Sequence, residues 1–443
     1  MNSKKTISGF SKLSKTGKLK WIGENFFKDP ESVVSELMNY WLHNPDEQKI
    51  IDGFSENTIS NFIMPYGVAP NFLINGKEYA VPMVIEESSV VAAASAAAKF
   101  WYSRGGFKVD IVDTKKLGQV HFAWSGPKPI LLERWNAITS RLKNDALDIT
   151  ANMEKRGGGV LSVDLLDKKD IAPNYYQIHV SFETCDSMGA NFINSVLESY
   201  AESLRCYFME QKDLPDEHRD IRIIMSILSN YTPECLARAR VECPVSDLGM
   251  VNGLKPEEFA KKFEMAVHVA RSDPYRATTH NKGIFNGIDA VVLATANDFR
   301  AVEACGHTYA ARDGQYRSLS YCEVKDGVFK FWLDIPLALG TVGGLTSLHP
   351  MAKKSLELLG QPTAKELMAI IAATGLAQNF AAVRSLVTTG IQQGHMKMHL
   401  MNILNHLDAK PDIREAAEAY FSDKTVSFSA VRSFVDSYKS IPS

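Results

Sequence analysis

Hydrophobic residues recur with two different periods along the chain, and the change of period predicts where strands and helices lie. Val120, Phe122 and Trp124 alternate in the pattern of a half-buried strand. Apolar residues then recur at helical spacing, which predicts one long amphipathic helix over residues 131–155 that ends at Gly157 and the two glycines after it.

The following segments repeat this alternation of strand and helix. Residues 160–165 and 176–182 have strand-like patterns, residues 192–210 have a helical pattern, and residues 221–228 have a further strand-like pattern. We therefore interpret residues 113–222 as a small ferredoxin-like α+β unit inserted into a larger mixed α/β body.

The larger body is predicted to consist of residues 1–112 and 223–390. It resumes with a helix at 255–271, a buried strand at 288–295 and a helix from Phe299. Residues 364–408 are almost wholly helical in pattern, with an interruption at Gly394, and the final 40 or so residues form a helical tail.

Composition excludes several classes of protein. The 443 residues are 45% hydrophobic and 23% charged with a net charge of −2, which excludes a disordered chain and argues against a general nucleic-acid binder. No apolar run reaches the roughly 18–20 residues of a membrane span. The six cysteines form no C-x-x-C pair, which favours a reducing cytoplasm. From these observations together we expect a soluble cytoplasmic protein with no membrane or nucleic-acid partner.

The loop between the strand at 176–182 and the next helix is a candidate anion site. Gly189 and Ala190 allow backbone amides to approach a ligand, and the helix start offers free N–H groups to a pyrophosphate. An ordinary tight turn would carry the same residues. No G-x-G-x-x-G occurs, so a Rossmann domain is unsupported.

A dense polar segment, residues 273–289, carries two candidate cations. Arg276 is suited to a carboxylate and Lys282 to an oxyanion, although a solvated loop would explain both. Asp298, after the predicted strand, could hold Lys282 charged. It could also cap the following helix, and its position alone favours the cap.

Two further groups could transfer protons. Glu86 and Glu87 are adjacent, so one carboxyl could keep a raised pKa and act as a proton donor, or both could mark a solvated helix start. His395 follows Gly394 and could be a mobile general acid or a surface histidine. Its spacing to His399 suits a metal, but no further ligand cluster accompanies the pair, so no metal is predicted.

Taken together, these segments resemble one family, the hydroxymethylglutaryl-coenzyme A reductases, and within it the soluble bacterial type called class II. Eight matching stretches run in the family's order and cover nearly the whole chain. They lie at residues 56–59, 68–76, 81–87, 186–191, 273–289, 294–298, 340–346 with 349–350, and 375–379 with 394–396.

The resemblance implies reduction of 3-hydroxy-3-methylglutaryl-CoA (HMG-CoA) to mevalonate and CoA, through mevaldyl-CoA and mevaldehyde, by two hydride transfers from NADPH or NADH. Lys282 would stabilise the oxyanion and Glu87 would donate a proton to it. Asp298 would bridge and tune these two residues, and His395 would protonate the departing CoA thiolate. The pathway implied is the mevalonate route to isoprenoids.

The resemblance also assigns binding residues and an assembly. Arg276 would bind the free carboxylate, and Ser89, Asn230, Asn286 and Gln378 would lie near the substrate or the lysine. Asp186, Met188, Gly189, Ala190 and Asn191 would form the dinucleotide loop. The inserted unit would hold the cofactor, the large body would hold CoA, and residues 391–443 would be a flap over a site at a homodimer interface.

Cofactor preference depends on one position of the cofactor helix. NAD-preferring members carry an aspartate opposite the ribose hydroxyls, and Thr150 stands there in this sequence. Loss of that charge, with Lys155 and Arg156 nearby, favours NADPH over NADH, although the neighbouring Asp148 could reverse the preference.

Three alternatives remain. The same site could run in reverse, oxidising mevalonate with CoA in a catabolic pathway. A non-catalytic CoA- or nucleotide-binding protein would be expected to lack at least one of the four catalytic residues, and all four are present. An unrelated acyl-CoA enzyme could use His395 with a cysteine such as Cys305 or Cys322, although neither cysteine lies in a histidine-containing motif.

Overall fold

The computed structural model describes residues 6–390, 400–422 and 424–439. The strands are β1 (Tyr66–Ile74), β2 (Lys77–Val84), β3 (Lys108–Ile111), β4 (Lys116–Ala123), β5 (Gly159–Asp167), β6 (Tyr175–Glu183), β7 (Arg222–Ser229), β8 (Leu236–Pro244), β9 (Ser320–Lys325) and β10 (Val328–Pro336).

The helices begin with three near the N-terminus and continue into the tail, where residues 400–406 are helical as well. They are α1 (Lys15–Phe26), α2 (Pro30–Met38), α3 (Pro45–Asp52), α4 (Val90–Tyr102), α5 (Lys128–Asp145), α6 (Leu147–Glu154), α7 (Ala190–Met209), α8 (Asp216–Arg219), α9 (Pro256–Ser272), α10 (Pro274–Ala294), α11 (Phe299–Ala310), α12 (Gly344–Leu348), α13 (Pro350–Leu358), α14 (Ala364–Val387), Pro411–Tyr420 and Phe428–Lys439.

The large body contains a hairpin and an antiparallel sheet. Strands β1 and β2 pair through a turn at Asn75 and Gly76, both with positive φ. The sheet has the order β3–β8–β10–β9. Helices α4, α10 and α14 pack against these strands and bury Trp101, Phe329 and Phe380 completely.

The strands between residues 116 and 229 form a second antiparallel sheet, of order β5–β6–β4–β7. Because helices α5 and α6 connect β4 to β5 and α7 leads towards β7, the chain runs β-α-β-β-α-β, the ferredoxin-like arrangement. Val120, Phe122 and Trp124 lie in a core of its own. Strand β7 continues to Ser229, so this sheet extends past residue 222.

The helix predicted over residues 131–155 is two helices, and this part of the prediction is wrong. Helix α5 ends at Asp145 and α6 begins at Leu147, with Ala146 between them at φ −97° and ψ 3°. Ala146 is buried, and α6 turns so that it packs against α7 and β5. Tertiary packing therefore breaks a periodicity that looked continuous along the sequence.

The buried strand predicted at 288–295 and the polar loop predicted before it are also wrong. Both belong to α10, which begins at Pro274 after an N-cap in which Asp273 accepts a hydrogen bond from the amide of Tyr275. Ile284, Ile288 and Val291 are buried at helical spacing. A short apolar run does not distinguish a buried strand from a buried helix, which explains the error.

Two glycines permit α10 and α14 to cross closely. A Cβ on Gly287 would lie 2.8 Å from Gln378 Cβ and 2.9 Å from the carbonyl oxygen of Thr374. A Cβ on Gly375 would lie 2.7 Å from Ile288 Cγ1. This close approach places the polar face of α10 beside Gln378 of α14.

Helix α14 is long and apolar enough to cross a membrane, which the sequence analysis did not predict. Thr374, Gln378 and Asn379 interrupt its apolar run, yet an 18-residue window has a mean hydropathy of 1.4. That window is 89% buried within the protein, so α14 is the central core helix of the large body.

Candidate active site

One cleft, which we call the Lys282 cleft, lies between α4, α10 and α14 and encloses about 940 Å³. Glu87 follows β2 and reaches into it, while Lys282 projects from α10. The Lys282 ammonium donates a hydrogen bond of 2.6 Å to Glu87 Oε2, and Asn286 Nδ2 lies 3.4 Å from the same oxygen. An acid and a cation predicted from distant segments are therefore in direct contact.

The backbone at the mouth of this cleft is strained. Ser89 lines the cleft and has φ 75°, a left-handed conformation that a residue with a Cβ seldom adopts. It directly precedes α4, so the turn at residues 85–89 leads the chain from β2 into that helix. Such strain is often found at functional sites.

Arg276, one helical turn and a half before Lys282, lines the same cleft. Burial lowers the pKa of its guanidinium. No ion pair or hydrogen bond from its side chain is formed with any residue in the described ranges. A half-buried guanidinium of this kind is available to a ligand carboxylate.

Beneath these residues lies a group of polar side chains that the sequence analysis missed. His280 Nε2 lies 2.7 Å from Ser320 Oγ, which in turn lies 2.7 Å from Asn379 Oδ1. Burial, reinforced by the charge of Arg276, lowers the pKa of His280 to about 3. Within this group, three buried atoms have no hydrogen-bond partner among the described residues: His280 Nδ1, Gln378 Oε1 and Asn379 Nδ2.

A second cleft, which we call the loop cleft, encloses about 1490 Å³ between three loops. These are residues 187–192, 296–300 and 340–346. The carbonyl oxygen of Asp186 accepts a hydrogen bond of 2.8 Å from the amide of Thr341, and Asn297 Oδ1 accepts one of 2.9 Å from the amide of Gly340. A Cβ on Gly340 would lie 2.5 Å from the amide nitrogen of Met188.

The predicted dinucleotide loop lies in the loop cleft, at the start of α7. Met188, Gly189, Ala190 and Asn191 line it. Gly189 precedes the helix at φ 87°, and no side chain caps the helix amides. The Asp186 carboxylate instead accepts a hydrogen bond of 2.7 Å from the amide of Ala364, at the start of α14. The free amides of α7 and the close backbone fit a bound pyrophosphate.

Asp298 lies in the loop cleft rather than beside Lys282. Its carboxylate accepts hydrogen bonds from the amides of Arg300 and Ala301, which is the helix cap favoured above, and from the Arg300 guanidinium at 3.1 Å and 3.2 Å. Burial alone would raise the pKa of Asp298, but these donors outweigh burial and hold the pKa below its usual value.

The remaining predicted residues are dispersed. Asn286 and Gln378 line the Lys282 cleft, whereas Asn230 lines a small cavity beside Met188 and Ala190. Thr150 is only 4% exposed, and its hydroxyl donates to the carbonyl oxygen of Leu147 at 3.4 Å. Asp148, on the same helix, is exposed. His395 and His399 lie outside the described residues.

The cysteines do not support the alternative of a thiol nucleophile. Burial raises the pKa of Cys305, and burial likewise raises the pKa of Cys322. A buried, protonated thiol is a poor nucleophile. Within the described ranges, no group of three or more His, Cys, Asp or Glu side chains is placed to hold a metal ion.

Comparisons with known proteins identify one family. The family model for hydroxymethylglutaryl-coenzyme A reductase matches residues 19–400. The 3-hydroxy-3-methylglutaryl-coenzyme A reductase of Archaeoglobus fulgidus is 38% identical over 402 residues, covering 90% of this chain and 86% of that protein. A probable reductase of the same name from Borreliella burgdorferi is 32% identical over 412 residues, covering 93% and 91%.

A solved structure is also similar. The class II 3-hydroxy-3-methylglutaryl-CoA reductase from Streptococcus pneumoniae, bound to NADPH in open conformations, superposes with a TM-score of 0.69 at 34% identity. The match covers 93% of this chain and 100% of that one.

These matches define the class of protein as an oxidoreductase of mixed α/β fold, and the predicted fold class is confirmed. The chain belongs to the hydroxymethylglutaryl-coenzyme A reductase family, whose reaction is the reduction of HMG-CoA to mevalonate. The predicted family and enzyme class are confirmed with it.

Proposed function

We propose that the chain binds the acyl group of HMG-CoA in the Lys282 cleft and a reduced nicotinamide dinucleotide in the loop cleft. The observation that carries this proposal is the 2.6 Å contact between Lys282 and Glu87, in a cleft that also holds Arg276. Reduction of a thioester to an alcohol requires two hydrides, so two reduced dinucleotides would bind in succession and each would supply one.

Three residues of the Lys282 cleft have distinct roles in this proposal. The Arg276 guanidinium pairs with the free carboxylate of the acyl group. The Lys282 ammonium stabilises negative charge on the thioester oxygen, and Glu87 delivers a proton to that oxygen. Stabilisation of this kind by one donor typically contributes about 3–4 kcal/mol to barrier lowering.

Asp298 cannot easily reach Lys282 within one subunit, which supports a role across an interface. Lys282 and Ala294 lie on the same helix, about 18 Å apart along its axis, and Asp298 follows beyond the helix end. We therefore infer that Asp298 of one copy completes the Lys282 cleft of a second copy. The assembly is then a homodimer, or an assembly of dimers, with active sites at the interface.

Mixing two inactive variants tests this arrangement. A Lys282→Met copy paired with an Asp298→Asn copy contains one site in which both residues are intact. Random pairing should therefore restore about a quarter of the wild-type activity. A sample that contains Asp298→Asn alone is the control. If the mixture of the two variants is as inactive as this control, both residues act within one subunit.

His395 is proposed to protonate the CoA thiolate, from the segment after α14. His395→Gln should impair reduction of HMG-CoA far more than reduction of free mevaldehyde, which has no thiolate to protonate. Equal losses with both substrates would argue against this role. We further propose that residues 391–443 form the flap and that residues 113–222 form the cofactor unit. Residues 1–112 and 223–390 form the proposed CoA-binding and dimerisation body.

NADPH is the proposed cofactor, with NADH as the alternative. The similar Streptococcus pneumoniae enzyme is bound to NADPH, which supports this preference. The inward position of Thr150 leaves Asp148 on the accessible side of α6, which favours NADH instead. Initial rates of HMG-CoA reduction with each cofactor decide between them, and no oxidation of either one would contradict the proposed function.

The proposed location is the cytoplasm, and the proposed direction is biosynthetic. The catabolic alternative, CoA-dependent oxidation of mevalonate, uses the same residues because an enzyme does not change the equilibrium. Rates measured in both directions with both cofactors distinguish a cofactor preference suited to reduction from one suited to oxidation.

A further inference from the structure

Lys116 is a buried cation outside the residues assigned so far. It begins β4, opposite Phe182 of β6, and is only 4% exposed. Throughout the described ranges, no hydrogen bond or ion pair involves its ammonium. The preceding Lys115 is different, since its ammonium lies 3.1 Å from Asp113 and 3.6 Å from Glu234 in ion pairs.

Glu183, the carboxylate next along β6, forms no ion pair with Lys116 in the described ranges. Its carboxylate accepts hydrogen bonds from the Thr114 hydroxyl and from the amide of Cys185. Burial raises the pKa of the Cys235 thiol to about 11, and the charge of Lys116 opposes that rise. The Lys116 ammonium therefore acts as a positive charge on this buried region.

Lys116 lines a small cavity that adjoins the dinucleotide loop. Met188 and Ala190 form part of its wall and also line the loop cleft, so the same residues border both spaces. Asn230 and Thr232 supply further polar groups. The cavity therefore lies at the start of α7, a helix of 20 residues whose first amides have no side-chain cap.

Two independent features thus favour negative charge at one place. The N-terminus of a helix carries a partial positive charge and unsatisfied N–H groups. Lys116 is a cation on a side chain that is only 4% exposed, so an anion beside it would form a charge-assisted hydrogen bond. Together these two features point to an anionic ligand.

We propose that Lys116 binds a phosphate oxygen of the nicotinamide dinucleotide, together with the free amides at the start of α7. The inference rests on the proposed function, because it assumes that the dinucleotide occupies the loop at 186–191. It adds a charged binding residue from β4, on the side of α7 that faces the inserted sheet.

Lys116→Met tests the proposal, because methionine keeps the length of the side chain and removes the charge. Lys115→Met is the matched control, an adjacent lysine whose partners are carboxylates. The dissociation constants of NADPH and of ADP-ribose, which has the pyrophosphate but no nicotinamide, are measured by calorimetry. Chemical unfolding of each ligand-free variant gives its stability.

Loss of the charge should weaken NADPH and ADP-ribose alike, by about ten- to a hundredfold, as expected for a charge-assisted hydrogen bond. The stability of the ligand-free protein should be unchanged or higher, and the affinity for HMG-CoA should be unchanged. Lys115→Met should bind both ligands as the wild type does. Lys116→Gln is the second variant if the methionine variant does not fold.

Three results would overturn the inference: unchanged binding of both ligands, weaker binding of NADPH alone, or a less stable ligand-free protein with normal affinity. The wild type separates this failure from that of the proposed function. If the wild type reduces HMG-CoA and the variant binds normally, only the role of Lys116 is refuted. If the wild type binds no dinucleotide, the proposed function and this inference fail together.

Discussion

The Lys282 cleft and the loop cleft are built in different ways. In the first, side chains on two crossing helices meet, and Lys282 contacts Glu87 within one subunit. In the second, three loops are held by backbone hydrogen bonds, and the acid Asp298 is paired with Arg300.

This difference indicates which kind of change each cleft tolerates. A cleft formed by side chains depends on residue type and on the rotation of α10 about its axis. A cleft formed by backbone depends on how closely the loops approach, so a single added methyl group can disturb it. The following predictions separate the two clefts, beginning with the largest effect.

Replacing Lys282 by methionine should have the largest effect on catalysis. Removal of the ammonium takes away the group proposed to stabilise the oxyanion, so we expect kcat to fall by at least about 10²–10³-fold. The dissociation constant of NADPH should not change, because Lys282 lies outside the loop cleft. Steady-state kinetics and calorimetry measure the two effects.

Lys262 provides a control for this substitution. It is an exposed lysine of α9 whose ammonium lies 3.2 Å from Glu258 on the same helix. Lys262→Met should leave both kcat and NADPH affinity unchanged. A Lys282→Met variant that kept a normal kcat would contradict the proposed role of the ammonium.

Gly340→Ala should damage the loop cleft alone. The new Cβ would lie 2.5 Å from Met188 N and 3.1 Å from Ser187 C, both of them backbone atoms that cannot rotate away. We expect NADPH affinity to fall by about tenfold or more, as backbone strain of this kind costs about 1–3 kcal/mol. HMG-CoA affinity should be retained, and an equal loss of both affinities would show that the clefts are not independent.

Gly287→Ala should damage the Lys282 cleft by separating α10 from α14. The added Cβ would lie within 2.9 Å of the Thr374 carbonyl oxygen, so we expect a loss of about 1–3 kcal/mol in unfolding free energy and weaker HMG-CoA binding.

Gly283→Ala on the same helix is the matched control for stability. A Cβ there meets no atom within 4 Å, and alanine favours a helix over glycine by about 0.8–1 kcal/mol. This variant should therefore be more stable than the wild type. Urea unfolding compares the variants, and a destabilised Gly283→Ala would contradict the packing described for α10.

The smallest predicted effect is a dependence of stability on pH through His280. Its pKa is about 3 in the folded protein and 6.5 when unperturbed, so the unfolded chain binds a proton that the folded chain does not between these values. Its contribution to stability is present above pH 6.5 and is lost as the pH falls towards 3.

Between pH 7.5 and 5.5 this contribution should fall by roughly 1 kcal/mol. His280→Gln should lose that part of the slope, although it will be less stable overall because the contact with Ser320 changes. Urea unfolding at the two pH values measures the slope. An unchanged slope in the variant would show that other groups produce it.

Much of the site could be predicted from residue types, but its arrangement could not. Glu87 was predicted from one segment and Arg276 and Lys282 from another, and the structure brings all three to one cleft. Asp298 caps α11, as its position alone favoured, and the place beside Lys282 that the resemblance implies stays a prediction. His280 went unnoticed, although it lies two residues before Lys282 in the same polar segment.

Local chemistry determines what the sequence can reveal by itself. The identity of the charged residues, the glycines that permit close backbone approach and the alternation of strands and helices are properties of neighbouring positions. They are sufficient to predict the mixed α/β fold and the inserted sheet, whereas the roles of single residues in reducing a thioester are what the family resemblance implies.

Only the tertiary structure decided which of these residues meet. The crossing of α10 and α14, the break at Ala146 and the burial of Lys116 arise from packing between segments far apart in the chain. Packing free energy depends on the complementary shapes of both packed segments, and the shape of one segment cannot be read from the sequence of the other.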